Sequence, residues 1–132
     1  MESPDFDPKL GNEIPPLTKI ALTPIKPAEA NPIHTDEYAR QLGMRGALVG
    51  GLMLLSYILE MLYSFFGVKW FYYGKINVSF IGGGAINGDS VIAHGTLISF
   101  EQESDGTRLY LDVWMENQAG EKIVVGKASC VK

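Results

Sequence analysis

Residues 46–66 read GALVGGLMLLSYILEMLYSFF, and what this run is decides the fold. It is mostly apolar and about as long as a bilayer-crossing helix. Glu60 stands inside it, where a charge would be costly in lipid. No second span follows, and no cluster of Lys or Arg marks one flank. The run therefore reads as a helix buried in protein, beginning near Ala47–Gly51. Leu48, Leu52, Leu55, Leu59, Leu62 and Phe66 recur at helical spacing on one face. Leu54, Ile58, Met61 and Phe65 make another face apolar, leaving Ser56, Glu60 and Ser64 as a narrow polar ridge. A helix apolar nearly all round must be surrounded.

The chain after it supplies the surroundings. YGKINVSFI, residues 73–81, alternates through Ile76, Val78 and Phe80. DSVIAHGTLISFEQE, 89–103, is a long strand candidate, and RLYLDVWMENQ, 108–118, alternates through Leu109, Leu111, Val113 and Met115. EKIVVGKASCVK closes the chain. Asn-Gly at 87–88, Asp-Gly at 105–106 and Ala-Gly at 119–120 mark the turns between them. Before the helix, LTKIALTPI, 17–25, reads as a short strand and DEYARQLG, 36–43, as a short helix capped by Thr35-Asp36 and stopped by Gly43. The order is strand, short helix, long helix, four strands. An α+β fold follows, a single hotdog domain over 17–132 with a curled antiparallel sheet wrapped around the buried central helix. Residues 1–16, acidic and proline-rich, read as an irregular arm without the basic start of a signal peptide.

A length of 132 residues fits one domain, and 46% apolar residues suffice for a core without staples. The net charge of −4 and the absence of a basic cluster argue against nucleic acid. Cys130 is the single cysteine, so no internal disulfide forms and a reducing, cytoplasmic setting is expected. It reads as a small residue of the last strand. Two histidines without neighbouring cysteines make no metal site, and no Walker loop or Gly-x-Ser-x-Gly is present.

Chemistry concentrates in EANPIHTDEYA, 29–39, which is polar and adds little to a core. Pro32 restrains the backbone between Glu29 and His34. Imidazole exchanges a proton near neutral pH, and a carboxylate beside it could orient the ring or share a water molecule. A structural role for His34, a backbone-bonding role for Asn31 and helix-start roles for Asp36 and Glu37 are the plain alternatives. Gly50-Gly51 at the helix entrance permits close approach of a ligand carbonyl to backbone N–H groups, or merely close packing. Gly82–Gly84 reads as a bend in the sheet, His94 as a structural or surface histidine, and Trp70, Tyr72 and Tyr73 as either core or pocket wall.

NPIHTDEYA, followed by the glycine-containing entrance of a long apolar helix, resembles the MaoC-like (R)-specific enoyl-CoA hydratase and dehydratase family. FIGGGAINGDSV looks like that family's Phe-x-x-Pro-x-x-x-Gly-Asp motif, and ENQAGEKIVVGKASCV like its closing hairpin; the resemblance runs from about residue 17 to the end. It implies a hotdog fold paired as a homodimer or higher oligomer, or with an unlike hotdog chain. It implies acyl thioesters of CoA or a carrier protein as substrates, and no separate cofactor. Carried over, His34 and the carboxylate at Glu29 form the catalytic pair, Asn31-Pro32 match the Asn-Pro between them, and the N–H of Gly51 receives the thioester oxygen. Glu29 replaces the family's Asp, and the motif proline is absent after Phe80. Two rival readings are a hotdog thioesterase and a non-catalytic, partner-dependent subunit.

Overall fold

The computed structural model describes residues 9–23, 36–43 and 46–132. Its elements follow the chain as β1 (Leu17–Ile20), α1 (Asp36–Gln41), α2 (Gly51–Phe66), α3 (Lys69–Tyr73), β2 (Lys75–Phe80), β3 (Ser90–Glu103), β4 (Gly106–Glu116) and β5 (Lys122–Val131). The strands form one antiparallel sheet in the order β1-β3-β4-β5-β2.

Period-2 patterning puts one set of side chains against α2. Leu109, Leu111, Val113 and Met115 of β4 are buried, as are Val91, Ala93 and Leu97 of β3. Each such Leu or Val, once buried, contributes roughly 1.5–3 kcal/mol. α2 adds Leu54, Tyr57, Ile58, Met61, Leu62 and Phe66 to that core. Gly126 of β5 stands opposite Val78, and any Cβ there would collide with the carbonyl oxygen of Asn77. A glycine is what lets β2 pair so closely.

The expected curled sheet wrapped around the helix is not what forms. The sheet is open: β1 and β2 lie at its two outer edges, and no pairing among the described residues joins them. It therefore covers α2 from one side. Leu52 is 83% exposed, and Ser56, Glu60 and Tyr63 share that uncovered side. The reason is length as well as order. β1 has four residues and β2 six, too little strand at the edges to close around a sixteen-residue helix.

α3 was not apparent in the sequence. Its Trp70 is buried and stacks on Phe66, with ring centroids 6.2 Å apart, whereas Tyr72 is exposed. Cys130 is buried in β5 and its thiol donates to the Lys69 carbonyl over 3.4 Å. Burial pushes that thiol above its ordinary range. Iodoacetamide at neutral pH is expected to leave Cys130 unmodified in the native protein and to label it after unfolding, read by mass spectrometry; fast native labelling would contradict this burial.

Candidate active site

α2 begins without a side-chain cap: Gly50 is the N-cap residue, in extended geometry. The first N–H groups of a helix have no acceptor inside it, and the helix dipole places partial positive charge there. Beside this end lies a cavity of about 280 Å³ lined by Leu48, Val49, Gly51, Leu54, Phe80, Ile81, Gly82–Gly84 and Ile123. Every side chain in that wall is apolar or absent. Gly51 sits at the contact between helix and wall. A Cβ at this position would stand 3.0 Å from Phe80 Cζ, closer than ordinary carbon contacts.

The approach to α2 is fixed by a strip running from Gly84 to Asp89. Val49 N–H donates to the Ala85 carbonyl at 2.9 Å, Asn87 N–H to Ala47 at 2.7 Å, and Leu48 bridges Ile86. Asp89, buried, accepts from Ile86 N–H at 3.1 Å and closes the Asn87-Gly88 turn expected from the sequence. Gly82 and Gly84 take positive φ of 66° and 70°, which makes the expected bend. Glu121 accepts from Gly83 N–H at 2.8 Å and pins it.

Of the residues singled out for chemistry, the structure places Gly51, at the start of α2 and in the cavity wall. Glu29, Asn31 and His34 lie outside the described residues. The described chain before them is tied to the same strip, and the chain after them to the entrance of α2. Thr23 N–H donates to Asn87 Oδ1 at 2.9 Å. Asp36, the first residue of α1, accepts through Oδ1 from Ala47 N–H at 2.8 Å, so this carboxylate anchors the entrance to α2. Leu22 N–H reaches the Tyr57 hydroxyl at 3.3 Å. Sequence reasoning did not find Asn87 in this role; Asn-Gly signalled only a turn.

His94 stands on the sheet face turned away from α2. Its ring stacks on Trp114 at 5.1 Å, and its two nitrogens lie 3.9 Å from Glu13 and from Glu116. Those distances exceed a hydrogen bond. The same face carries a larger concavity of about 750 Å³, lined by polar and charged groups including Asp112, Lys122 and Lys127 around Trp114. Size does not make it the better candidate. Its lining holds no residue from a helix N-terminus and mixes polar with apolar groups, whereas the smaller cavity is lined by Gly51 of α2 and otherwise by apolar side chains and glycines.

Among the described residues, no three His, Cys, Asp or Glu side chains group closely enough to hold a metal ion. No helix among them is long and apolar enough to cross a membrane.

No protein-family model matches the sequence, and no curated protein matches it significantly. Solved structures do match. An (R)-hydratase from A. caviae involved in PHA biosynthesis superposes with a TM-score of 0.71 at 20% identity, over 93% of this chain and 96% of that one. A MaoC-like dehydratase from Rhodospirillum rubrum gives 0.70 at 15% identity, over 92% and 90%. The ChsH1-ChsH2 complex from Mycobacterium tuberculosis gives 0.68 at 15% identity, over 93% and 97% of the matched chain. The likeness is one of fold: this chain shares with these structures a hotdog-like α+β arrangement with one central helix.

Proposed function

We propose that the protein adds water reversibly across the 2,3-double bond of 2-enoyl thioesters carried on CoA or an acyl carrier protein. One observation carries the reading: an apolar cavity opens at the uncapped N-terminus of α2, with Gly51 in its wall. Such a site suits a thioester whose carbonyl meets backbone N–H while its hydrocarbon enters the cavity. Glu29 and His34 hold one water molecule. One of them takes its proton as the oxygen bonds to C3, and a proton is delivered to C2. The electron pair of the double bond passes through C2 to the carbonyl oxygen, where the Gly51 N–H meets the developing negative charge. One such donor is worth about 10²–10³ in rate. Dehydration of the 3-hydroxyacyl thioester is the same path reversed.

The protein works as an assembly with a second hotdog chain, its own copy or another. Leu52 and Phe71 are large apolar residues more than half exposed on the single chain, and no other strand among the described residues pairs with the outer edge of β2. The matched ChsH1-ChsH2 structure is itself a complex.

The test is loss of the conjugated double bond of 2-enoyl-CoA, followed in ultraviolet absorbance with the purified protein. Turnover without release of free thiol is the expected result. Thiol release would assign a thioesterase instead. A folded but inactive protein that gains activity only with a copurifying second chain would assign a partner-dependent subunit.

A further inference from the structure

The cavity beside α2 has one wall residue placed to decide what fits. Phe80 is the last residue of β2 and pairs with Val124 of β5, so its backbone is held by the sheet. Its ring edge faces the start of α2: Cζ, Cε1 and Cε2 lie 3.0–3.2 Å from where a Gly51 Cβ would stand. The residue is nevertheless 51% exposed. The ring is thus held on its Gly51 side and open on the other. The wall beyond it is fixed, because Ile81 N–H bonds the Ile123 carbonyl at 2.9 Å and Gly83 N–H bonds Glu121.

From this placement we infer that Phe80 sets the length of hydrocarbon the cavity accepts, and that the ligand is a short, unsubstituted acyl chain. The inference rests on the reading of Gly51 as the carbonyl site. No lining side chain carries a hydrogen-bonding group, so a hydroxyl or carboxyl along the chain would lose water without gaining a side-chain partner. The space of about 280 Å³ is open to solvent on one side, so chain length is limited only where the hydrocarbon runs against the Phe80 ring. A short chain fits beneath the Phe80 ring and a long one meets it.

Two measurements with wild type, Phe80→Ala and Phe80→Trp test it. The first compares kcat/KM for crotonyl-, hexenoyl-, octenoyl- and dodecenoyl-CoA. The second compares dissociation constants for hexanoyl-CoA and dodecanoyl-CoA, which lack the double bond and are not turned over. Phe80→Ala is expected to move the preference toward dodecyl chains by about tenfold or more, the size of a methylene-scale change in an apolar pocket. Phe80→Trp is expected to move it toward crotonyl. Because Phe80 is half exposed, both variants should fold, which thermal unfolding checks. Turnover with the same chain-length ratios in all three proteins would overturn the role of Phe80 and leave hydration standing. Absent turnover with shifted binding ratios would sink hydration and keep Phe80. Absent turnover with unshifted ratios would sink both.

Discussion

Replacing His34 with alanine is expected to lower kcat for 2-enoyl-CoA hydration by about 10²–10⁴-fold, the usual contribution of a positioned acid or base. Glu29→Gln should cost a similar factor. Two groups acting on one water molecule fail together, so the double variant should be little worse than either single one. Glu29→Asp tests the departure from the resembled family. Glutamate carries its carboxylate one methylene farther out, and errors near an ångström can cost on the order of a hundredfold. If this chain has adjusted to glutamate, aspartate lowers kcat rather than raising it. Stopped-flow absorbance gives the rates, and thermal unfolding should show all four variants as folded as wild type, since the segment 29–39 is too polar to carry the core. Wild-type turnover by His34→Ala would remove the catalytic pair from the proposal. The Gly51 site would then need another water-activating group.

How much of this was legible depends on which residues carried the information. The alternation Leu109, Leu111, Val113, Met115 announced β4 and its buried face, because a strand has only two faces and one was uniformly apolar. The existence of α2 was equally plain. Its orientation was not. Leu52 and Leu54 are both leucine, yet one is 83% exposed and the other buried. With apolar residues nearly all round, periodicity cannot say which side the sheet will cover. Nor can strand patterns say whether sheet edges meet, so the expected curl gave way to an open sheet. At the site, Gly51 was legible as a helix entrance. Phe80 was not legible as its neighbour, because that contact joins an edge strand to a helix through tertiary packing alone. Asn87 shows the same limit: its turn is local chemistry, while its bond to Thr23 crosses the fold.

Arg108→Ala is expected to destabilise the protein by about 2–3 kcal/mol, from lost packing and buried hydrogen-bond partners left unsatisfied. Arg108 is 7% exposed yet charged, on a strand of alternating apolar residues. Its guanidinium makes three hydrogen bonds, from Nε and Nη1. Nε donates to Glu103 at 2.8 Å, and Nη1 to the Tyr73 carbonyl and the Ser129 hydroxyl at 3.1 Å each. The alanine variant loses the packing of the long side chain. It also leaves the end of α3 and a buried serine without their donor. Glu103→Gln should cost much less, about 1 kcal/mol or below. The Glu103 side chain is 31% exposed, so water screens the pair and replaces the lost partner. Urea unfolding measures both, as a fall in midpoint at unchanged slope. Equal costs for the two variants would show that the ion pair, and not the bonds to Tyr73 and Ser129, is what matters. The two bonds join α3 to β5 just before β2 departs toward Phe80. Loosening them should therefore disturb chain-length preference in Arg108→Ala through the wall of the cavity, while the catalytic constant for the shortest substrate stays near wild type below the unfolding transition.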